Sequence, residues 1–237
     1  MKTETITYSD GTVSMSGFLA YDETLTGKRP GVLVVHEAFG LGEHAMERAR
    51  MLAKLGYVAL AADMFGDRMQ ADLTKGIALI TELKSQPKVL RARAGAAMTV
   101  LAGLPQVDAT RLGGVGFCFG GTVVLEMARG GADLKGVVSF HGSLETPMPA
   151  AEGDVKASIL VCTGADDPMI PATQVVAFED EMRGAAADWQ VVQYSKTVHS
   201  FTNPEADGSM TPAIQYNKLS DQRSWTAMSS FFTEVFA

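Results

Sequence analysis

The sequence predicts an α/β fold built on a mostly parallel central sheet with helices on both faces, a three-layer sandwich that opens with an antiparallel hairpin. Three observations carry this. Short apolar runs such as Gly31-Val32-Leu33-Val34-Val35 recur along the chain, and such continuous runs mark strands buried on both faces. Helical segments of 10 to 15 residues separate the runs, which implies right-handed crossovers between parallel strands. The exception is the start, where Glu4 to Tyr8 and Val13 to Tyr21 alternate with a period near two around the turn cluster Ser9-Asp10-Gly11-Thr12.

After the hairpin and Lys28-Arg29-Pro30, the first buried strand runs Gly31 to His36. Glu43 to Leu55 is amphipathic and stops at Gly56, and Tyr57 to Asp63 is the next strand. Helices follow over Ala71 to Leu83 and Lys88 to Leu104, then a strand over Leu112 to Phe117 and a helix from Thr122 to Arg129. Strands at Gly136 to His141 and Ser158 to Thr163, a helix over Thr173 to Ala186, a strand at Trp189 to Tyr194 and a helix from Pro212 to Phe236 complete the order. Gly142 to Val155, with Pro147 and Pro149, is the candidate for a mobile surface loop or a passive connector. The 237 residues fit one domain, 1–237, with no internal repeat.

Composition narrows the function. Hydrophobic residues make up 46% and charged residues 20%, enough to bury a substantial core. Lys and Arg number 20 against 27 Asp and Glu, a net charge of −7, and no basic cluster stands out, which argues against a nucleic-acid partner. No apolar run approaches the length of about 18 residues needed to span a bilayer, and the acidic first thirty residues hold no secretory pattern. A cytoplasmic location without membrane partners is the expectation. Cys118 and Cys162 lie in separate strands without metal-ligand spacing, so neither a disulfide framework nor a structural metal is expected.

The chemistry centres on Gly116-Phe117-Cys118-Phe119-Gly120-Gly121. This is the glycine-flanked nucleophile elbow of an α/β-hydrolase with cysteine in place of serine, a strand-to-helix turn tight enough to require neighbours without a Cβ. A helix starting there aims its unpaired N–H groups and positive dipole end at the sulfur. A buried structural cysteine is the plain alternative.

Functional groups on an open parallel sheet collect past the carboxyl ends of its strands. Those positions hold His36-Glu37-Ala38, Asp63, Cys118, His141, Gly164-Ala165-Asp166-Asp167 and, after a short link, His199. They contain nucleophile, acid and base in the chain order of the α/β-hydrolase triad. His199 is the expected base for Cys118, and Asp167 the carboxylate that orients it, preferred over Asp166 because Pro168 extends its backbone. Either aspartate could instead cap the following helix. Glu37 either pairs with an arginine such as Arg48 or contacts the Cys118 thiol and handles its proton. Ala38 and Phe119 are the expected oxyanion donors. Met64, Phe65, Met69 and Met148 are equally candidates for pocket lining or for ordinary core.

Taken together, these segments resemble the dienelactone hydrolase family (carboxymethylenebutenolidases) over nearly the whole chain. His36-Glu37-Ala38-Phe39-Gly40-Leu41 is similar to that family's strand-end glutamate segment, Gly56 to Asp63 to its next strand, Gly116 to Gly121 to its cysteine elbow, and Asp167 with His199-Ser200-Phe201 to its acid and base. The resemblance implies hydrolysis of a small ester or lactone by a Cys118-His199-Asp167 triad through an acyl-thioester, with Glu37 as the thiol's partner and no cofactor. It departs at Asn203, where the family has an arginine that binds a substrate carboxylate; Arg68, Arg91 and Arg93 are imperfect matches to a second family arginine. A broader carboxylesterase or thioesterase for neutral acyl substrates is the alternative, and a non-catalytic thiol sensor is a third reading. Specificity loops and oligomeric state stay open.

Overall fold

The computed structural model describes residues 1–237, which form two compact units, Met1–Val115 and Gly116–Ala237. The first unit opens with the predicted hairpin. β1 (Lys2–Ser9) and β2 (Ser14–Tyr21) pair antiparallel from Lys2 opposite Tyr21 to Ser9 opposite Ser14. Asp10 makes the turn, its Oδ1 accepting from the N–H groups of Thr12 and Val13 at 2.8 Å each, so a side chain substitutes for a backbone turn bond. β2 continues antiparallel to β4 (Val58–Ala62), and β4 lies parallel to β3 (Arg29–Val35). The strand order in this unit is β1-β2-β4-β3-β5, with β5 spanning Val107–Phe117.

Every residue of β4 is buried, as are Val32 to Val35 of β3, which is why these strands read as unbroken apolar runs. α1 (Glu43–Lys54) packs on β2, β3 and β4 through a stripe of Ala45, Arg48, Ala49, Leu52 and Ala53. α3 (Pro87–Ala102) packs on β1, β3 and β4, while α2 (Leu73–Ser85) buries only Gly76 and Leu83 and rests on α3.

β5 carries the chain into the second unit, whose strand order is β5-β6-β7-β8. β6 (Gly136–Phe140), β7 (Ser158–Gly164) and β8 (Trp189–Tyr194) are parallel, with Phe140 opposite Cys162 and Cys162 opposite Val192. α4 (Phe119–Arg129) is buried along its whole length. Its last residue, Arg129, forms a buried ion-pair cluster with Glu126 and Glu181 and donates to the Leu144 carbonyl. Glu181 comes from α5 (Ala172–Gly184), so this cluster fixes α4 to α5; removing one partner of such a group costs about 3–5 kcal/mol. α6 (Lys218–Val235) covers β6 and β7.

Element types agree with the sequence reading; most boundaries shift by one or two residues, and three move by three or more. α4 begins at Phe119 instead of Thr122, leaving one residue for the elbow. β5 begins at Val107 instead of Leu112. α6 begins at Lys218 instead of Pro212, because Asn217 caps it through the Ser220 N–H while the preceding residues bond to the His199 loop. In the segment after β6, Leu144 N–H donates to Gln174 at 2.7 Å and Ala150 N–H to Glu181 at 3.0 Å.

Candidate active site

β5 ends at Phe117 and α4 begins at Phe119, so Cys118 alone turns the chain, at φ 53° and ψ −114°. A residue with a Cβ in so sparsely populated a region costs of order 1–3 kcal/mol. The surroundings enforce it. The Cys118 N–H donates to the Phe140 carbonyl at 3.0 Å, and the Cys118 carbonyl accepts from Gly121 N–H at 2.9 Å. A Cβ on Gly116 would collide with the Gly120 backbone, and one on Gly121 would come within 2.8 Å of the Gly142 Cα, so two of the elbow's glycines are demanded by close approach.

The turn leaves Cys118 partly exposed, with its Sγ 3.1 Å from His199 Nε2. His199 Nδ1 lies 2.8 Å from Asp167 Oδ2, and Asp167 Oδ1 accepts from the Met169 N–H at 2.9 Å. Asp167 and His199 are both buried, whereas Asp166 is exposed and meets Thr197 through its backbone N–H. Burial therefore separates the two adjacent aspartates: only Asp167 reaches the imidazole. Burial opposes a charge on His199, but the electrostatic attraction of Cys118 and the bonds to Asp167 and Cys118 outweigh it and push the imidazole up to about 10.

The loop that carries His199 is tied down at several points. His199 N–H donates to the Ala213 carbonyl at 3.0 Å and the His199 carbonyl accepts from Gln215 N–H at 3.0 Å. Thr197 Oγ1 lies 2.7 Å from Ser220 Oγ at the start of α6. Ser200 takes a left-handed φ of 54°, and Asn203 N–H closes back on the Ser200 carbonyl at 3.0 Å. Asn203 Oδ1 accepts from Glu205 N–H, also at 3.0 Å. Phe119 is the first residue of α4, where N–H groups have no helical carbonyl to reach.

A second histidine belongs to this cluster. His141, just past β6, is fully buried with φ 42°. Its Nδ1 lies 3.1 Å from the Cys118 backbone nitrogen, its Nε2 2.8 Å from Thr202 Oγ1, and its ring meets that of His199 edge-on with centroids 5.2 Å apart. Sequence reasoning places His141 at a strand end without giving it a role.

The first unit holds the other strand-end residues. His36 is buried; its Nε2 accepts from the Met64 N–H at 3.2 Å, so Nδ1 carries the proton and donates to the Glu37 carbonyl at 2.6 Å. Burial keeps this imidazole below its ordinary range, in keeping with the neutral form. Glu37 Oε2 lies 3.2 Å from His44 Nδ1, and Arg48 Nε donates to His44 Nε2 at 3.2 Å. The arginine offered by the sequence as a partner of Glu37 thus contacts a histidine of α1 that itself pairs with Glu37. Ala38 is half-buried, and a Cβ on Gly76 would strike its carbonyl. Asp63 is structural: its carboxylate accepts from the N–H groups of Phe65, Gly66 and Arg68. Arg93 is engaged by Asp10 and the Met64 carbonyl, and Arg68 reaches the Met46 sulfur. Met64 and Phe65 are core, whereas Met148 is exposed.

A cavity of about 340 Å³ lies in the second unit between the segment after β6 and α5, lined in part by Leu144, Thr146, Pro171, Gln174 and Phe178. It contains none of Cys118, Asp167 and His199, so the volume and the chemistry lie apart. No cluster of His, Cys, Asp and Glu is arranged to hold a metal ion, and no helix is long and apolar enough to cross a membrane.

Comparison with known proteins adds to this geometry. A sequence model of the dienelactone hydrolase family matches residues 15–236. A Bradyrhizobium protein named "Probable 2-oxo-3-(5-oxofuran-2-ylidene)propanoate lactonase" is 30% identical, over 95% of this chain and 93% of its own. Among solved structures, one described as m3DLH is 44% identical and superposes with a TM-score of 0.95, covering 100% of this chain and 99% of its own. The dienelactone hydrolase-like promiscuous phosphotriesterase P91, from metagenomic libraries, is 43% identical with a TM-score of 0.94 and the same coverage. The α/β-hydrolase fold predicted from the sequence, a mostly parallel sheet with antiparallel N-terminal strands, is the fold of these structures.

Proposed function

The chain belongs to the dienelactone hydrolase family and is a hydrolase of esters or lactones, and from that premise we propose that it works through an acyl-thioester on Cys118. His199 serves as acid and base, Asp167 orients the imidazole, and residues 1–237 act as one domain. The observation that carries this reading is the unbroken line Sγ–Nε2 at 3.1 Å and Nδ1–Oδ2 at 2.8 Å.

The thiolate attacks the ester or lactone carbonyl, and the oxyanion collects at the N–H of Phe119 and, on the family resemblance, of Ala38. As the tetrahedral adduct collapses, the carbon–oxygen bond breaks and the His199 imidazolium gives its proton to the departing alkoxide. His199, now neutral, takes a proton from water, whose oxygen attacks the thioester. Collapse releases the carboxylic acid, which yields its proton to solvent, and regenerates the thiolate beside a protonated His199. Asp167 holds the tautomer throughout and stabilises the imidazolium. Glu37 enters as the thiol's partner on the same resemblance.

Asn203, in place of the family's carboxylate-binding arginine, favours small neutral acyl substrates over an anionic lactone. The likeness to P91 adds a phosphotriester to the substrates worth assaying. The test is active-site titration with a chromogenic ester, quenched in the first turnover and followed by peptide mass analysis. One burst equivalent per chain with the acyl group on the Cys118 peptide is expected; a burst with acylation elsewhere overturns the mechanism while leaving the hydrolase.

A further inference from the structure

We propose that His141 is a positioning residue for the nucleophile, its neutral ring joining the Cys118 peptide to the loop that carries the catalytic histidine. The proposal rests on the reading of Cys118 as nucleophile. A peptide N–H only donates, so the 3.1 Å contact from Cys118 N to His141 Nδ1 requires a bare lone pair on Nδ1. The ring proton therefore sits on Nε2 and is donated to Thr202 Oγ1 at 2.8 Å. Thr202 stands three residues past His199 on the same loop. One imidazole thus ties two segments whose spacing sets the Sγ–Nε2 distance.

The backbone argues that this ring is held at a cost. His141 takes φ 42° directly after a buried strand, a region that glycine and asparagine enter more easily than histidine. Such strain persists only where the surroundings over-determine it. Three contacts do so here: the His141 N–H on the Cys162 carbonyl at 2.8 Å, the edge-on His199 ring, and Phe201 at 5.1 Å between centroids. A proton on Nδ1 would set two donors against each other at the nucleophile and place a second cation beside the His199 imidazolium.

The Cys118 peptide has two acceptors, the Phe140 carbonyl and His141 Nδ1. Losing the second leaves the elbow formed but free to tilt. Displacements near 1 Å at a reacting group cost on the order of 100-fold. The expected signature is a fall in kcat with little change in KM, because the ring holds the reacting sulfur rather than the substrate.

The deciding comparison is His141→Asn with His141→Phe. Asparagine puts Oδ1 where Nδ1 stands and accepts the left-handed backbone; phenylalanine keeps the ring volume and accepts nothing. His141→Phe should lower kcat and the rate of Cys118 alkylation by iodoacetamide roughly 10- to 100-fold, and His141→Asn should recover most of both. A packing role alone would change only the melting temperature. Wild-type kcat in His141→Phe, or His141→Asn as slow as His141→Phe, overturns the proposal. Should His141→Phe fail to fold, Thr202→Val decides, since it keeps the shape and removes the ring's outer anchor: unchanged kcat and alkylation overturn the proposal, and a loss in both sustains it. Failure of the nucleophile reading would show separately, as turnover retained in Cys118→Ala.

Discussion

The two cysteines belong to the two strands that flank β6, one just past its strand's end and one inside it, and their surroundings are opposite. Cys118 stands just past β5, in a left-handed turn at the start of α4, partly exposed and 3.1 Å from an imidazole. Cys162 lies inside β7, fully buried between Phe140 and Val192, its Sγ 3.7 Å from the Tyr194 hydroxyl. Burial pushes the Cys162 thiol up to about 12, against a smaller lowering by Tyr194. Thiolate, not thiol, is the nucleophile, so on the proposed mechanism the cysteine whose strand has ended is the reactive one and the cysteine inside its strand is inert. The elbow takes the sulfur out of the sheet and sets it at a helix N-terminus beside the His199 imidazole.

The sharpest way to break this contrast is to remove each sulfur in turn. Cys118→Ala should reduce ester turnover on the order of 10⁶-fold, the scale of a lost triad nucleophile. Cys162→Ala should leave kcat intact and lower unfolding stability by roughly 1 kcal/mol. Steady-state kinetics and urea unfolding on both variants decide it, and iodoacetamide labelling that maps to Cys162 would reverse the assignment.

The next effect tests whether the environment of Cys118 acts as a unit. Asp167→Ala and His199→Ala should each cost about 10³-fold or more in kcat, with the double variant little worse. Asp166→Ala should stay near wild type, because its side chain is exposed and its structural contact is a backbone bond. Multiplying losses, or a larger loss at Asp166, would show that the wrong carboxylate has been chosen.

These residues also mark how far the sequence can be read. Glycines at fixed spacing announce the elbow because close backbone approach permits nothing else, as Gly116 against Gly120 illustrates. The choice between Asp166 and Asp167 is visible in sequence only through Pro168 and becomes clear once burial is known. His141 carries no signal of role, since its partners lie 23 and 61 residues away and come to it only through the placing of β6 beside β5 and the return of the His199 loop. The Glu37–His44 pairing is hidden for a related reason: it needs the chain to leave β3 and return on the first turn of α1. α6 starts at Lys218 and not at the expected Pro212 because residues 212–217 spend their hydrogen bonds on the His199 loop instead of on a helix.

A smaller effect follows from the charge on His199. Its imidazole is raised to about 10, so its contribution to stability is complete below the ordinary value of about 6.5 and disappears as pH rises through about 10. The stability gap between wild type and His199→Ala should therefore narrow on the alkaline side. Hydrolysis should fall over the same interval as the proton donor is lost, whereas alkylation of Cys118, which needs no donor, should not. Parallel loss of both activities would mean that the sulfur, not the imidazolium, limits the reaction.

The smallest expected effect concerns substrate charge, and it sets the triad loop against the rest of the site. An arginine–carboxylate contact in a partly desolvated pocket contributes roughly 1.5–3 kcal/mol, and each 1.4 kcal/mol is tenfold in affinity. With Asn203 at the family's arginine position, a carboxylated lactone should be disfavoured by about 10- to 100-fold against a family member that retains the arginine. Asn203→Arg should recover part of that, near tenfold in kcat/KM, at a stability cost of roughly 0.5–1.5 kcal/mol for the lost Glu205 N–H bond. The change should fall on the anionic substrate alone, because Asn203 closes the loop after His199 through its backbone N–H, a bond that the substitution keeps. Matched lactones with and without the carboxylate, assayed on both proteins, test this. If wild type already prefers the acid, another cation serves that role; Arg93 is committed to Asp10 and the Met64 carbonyl, which directs the search to Arg68 and Arg91.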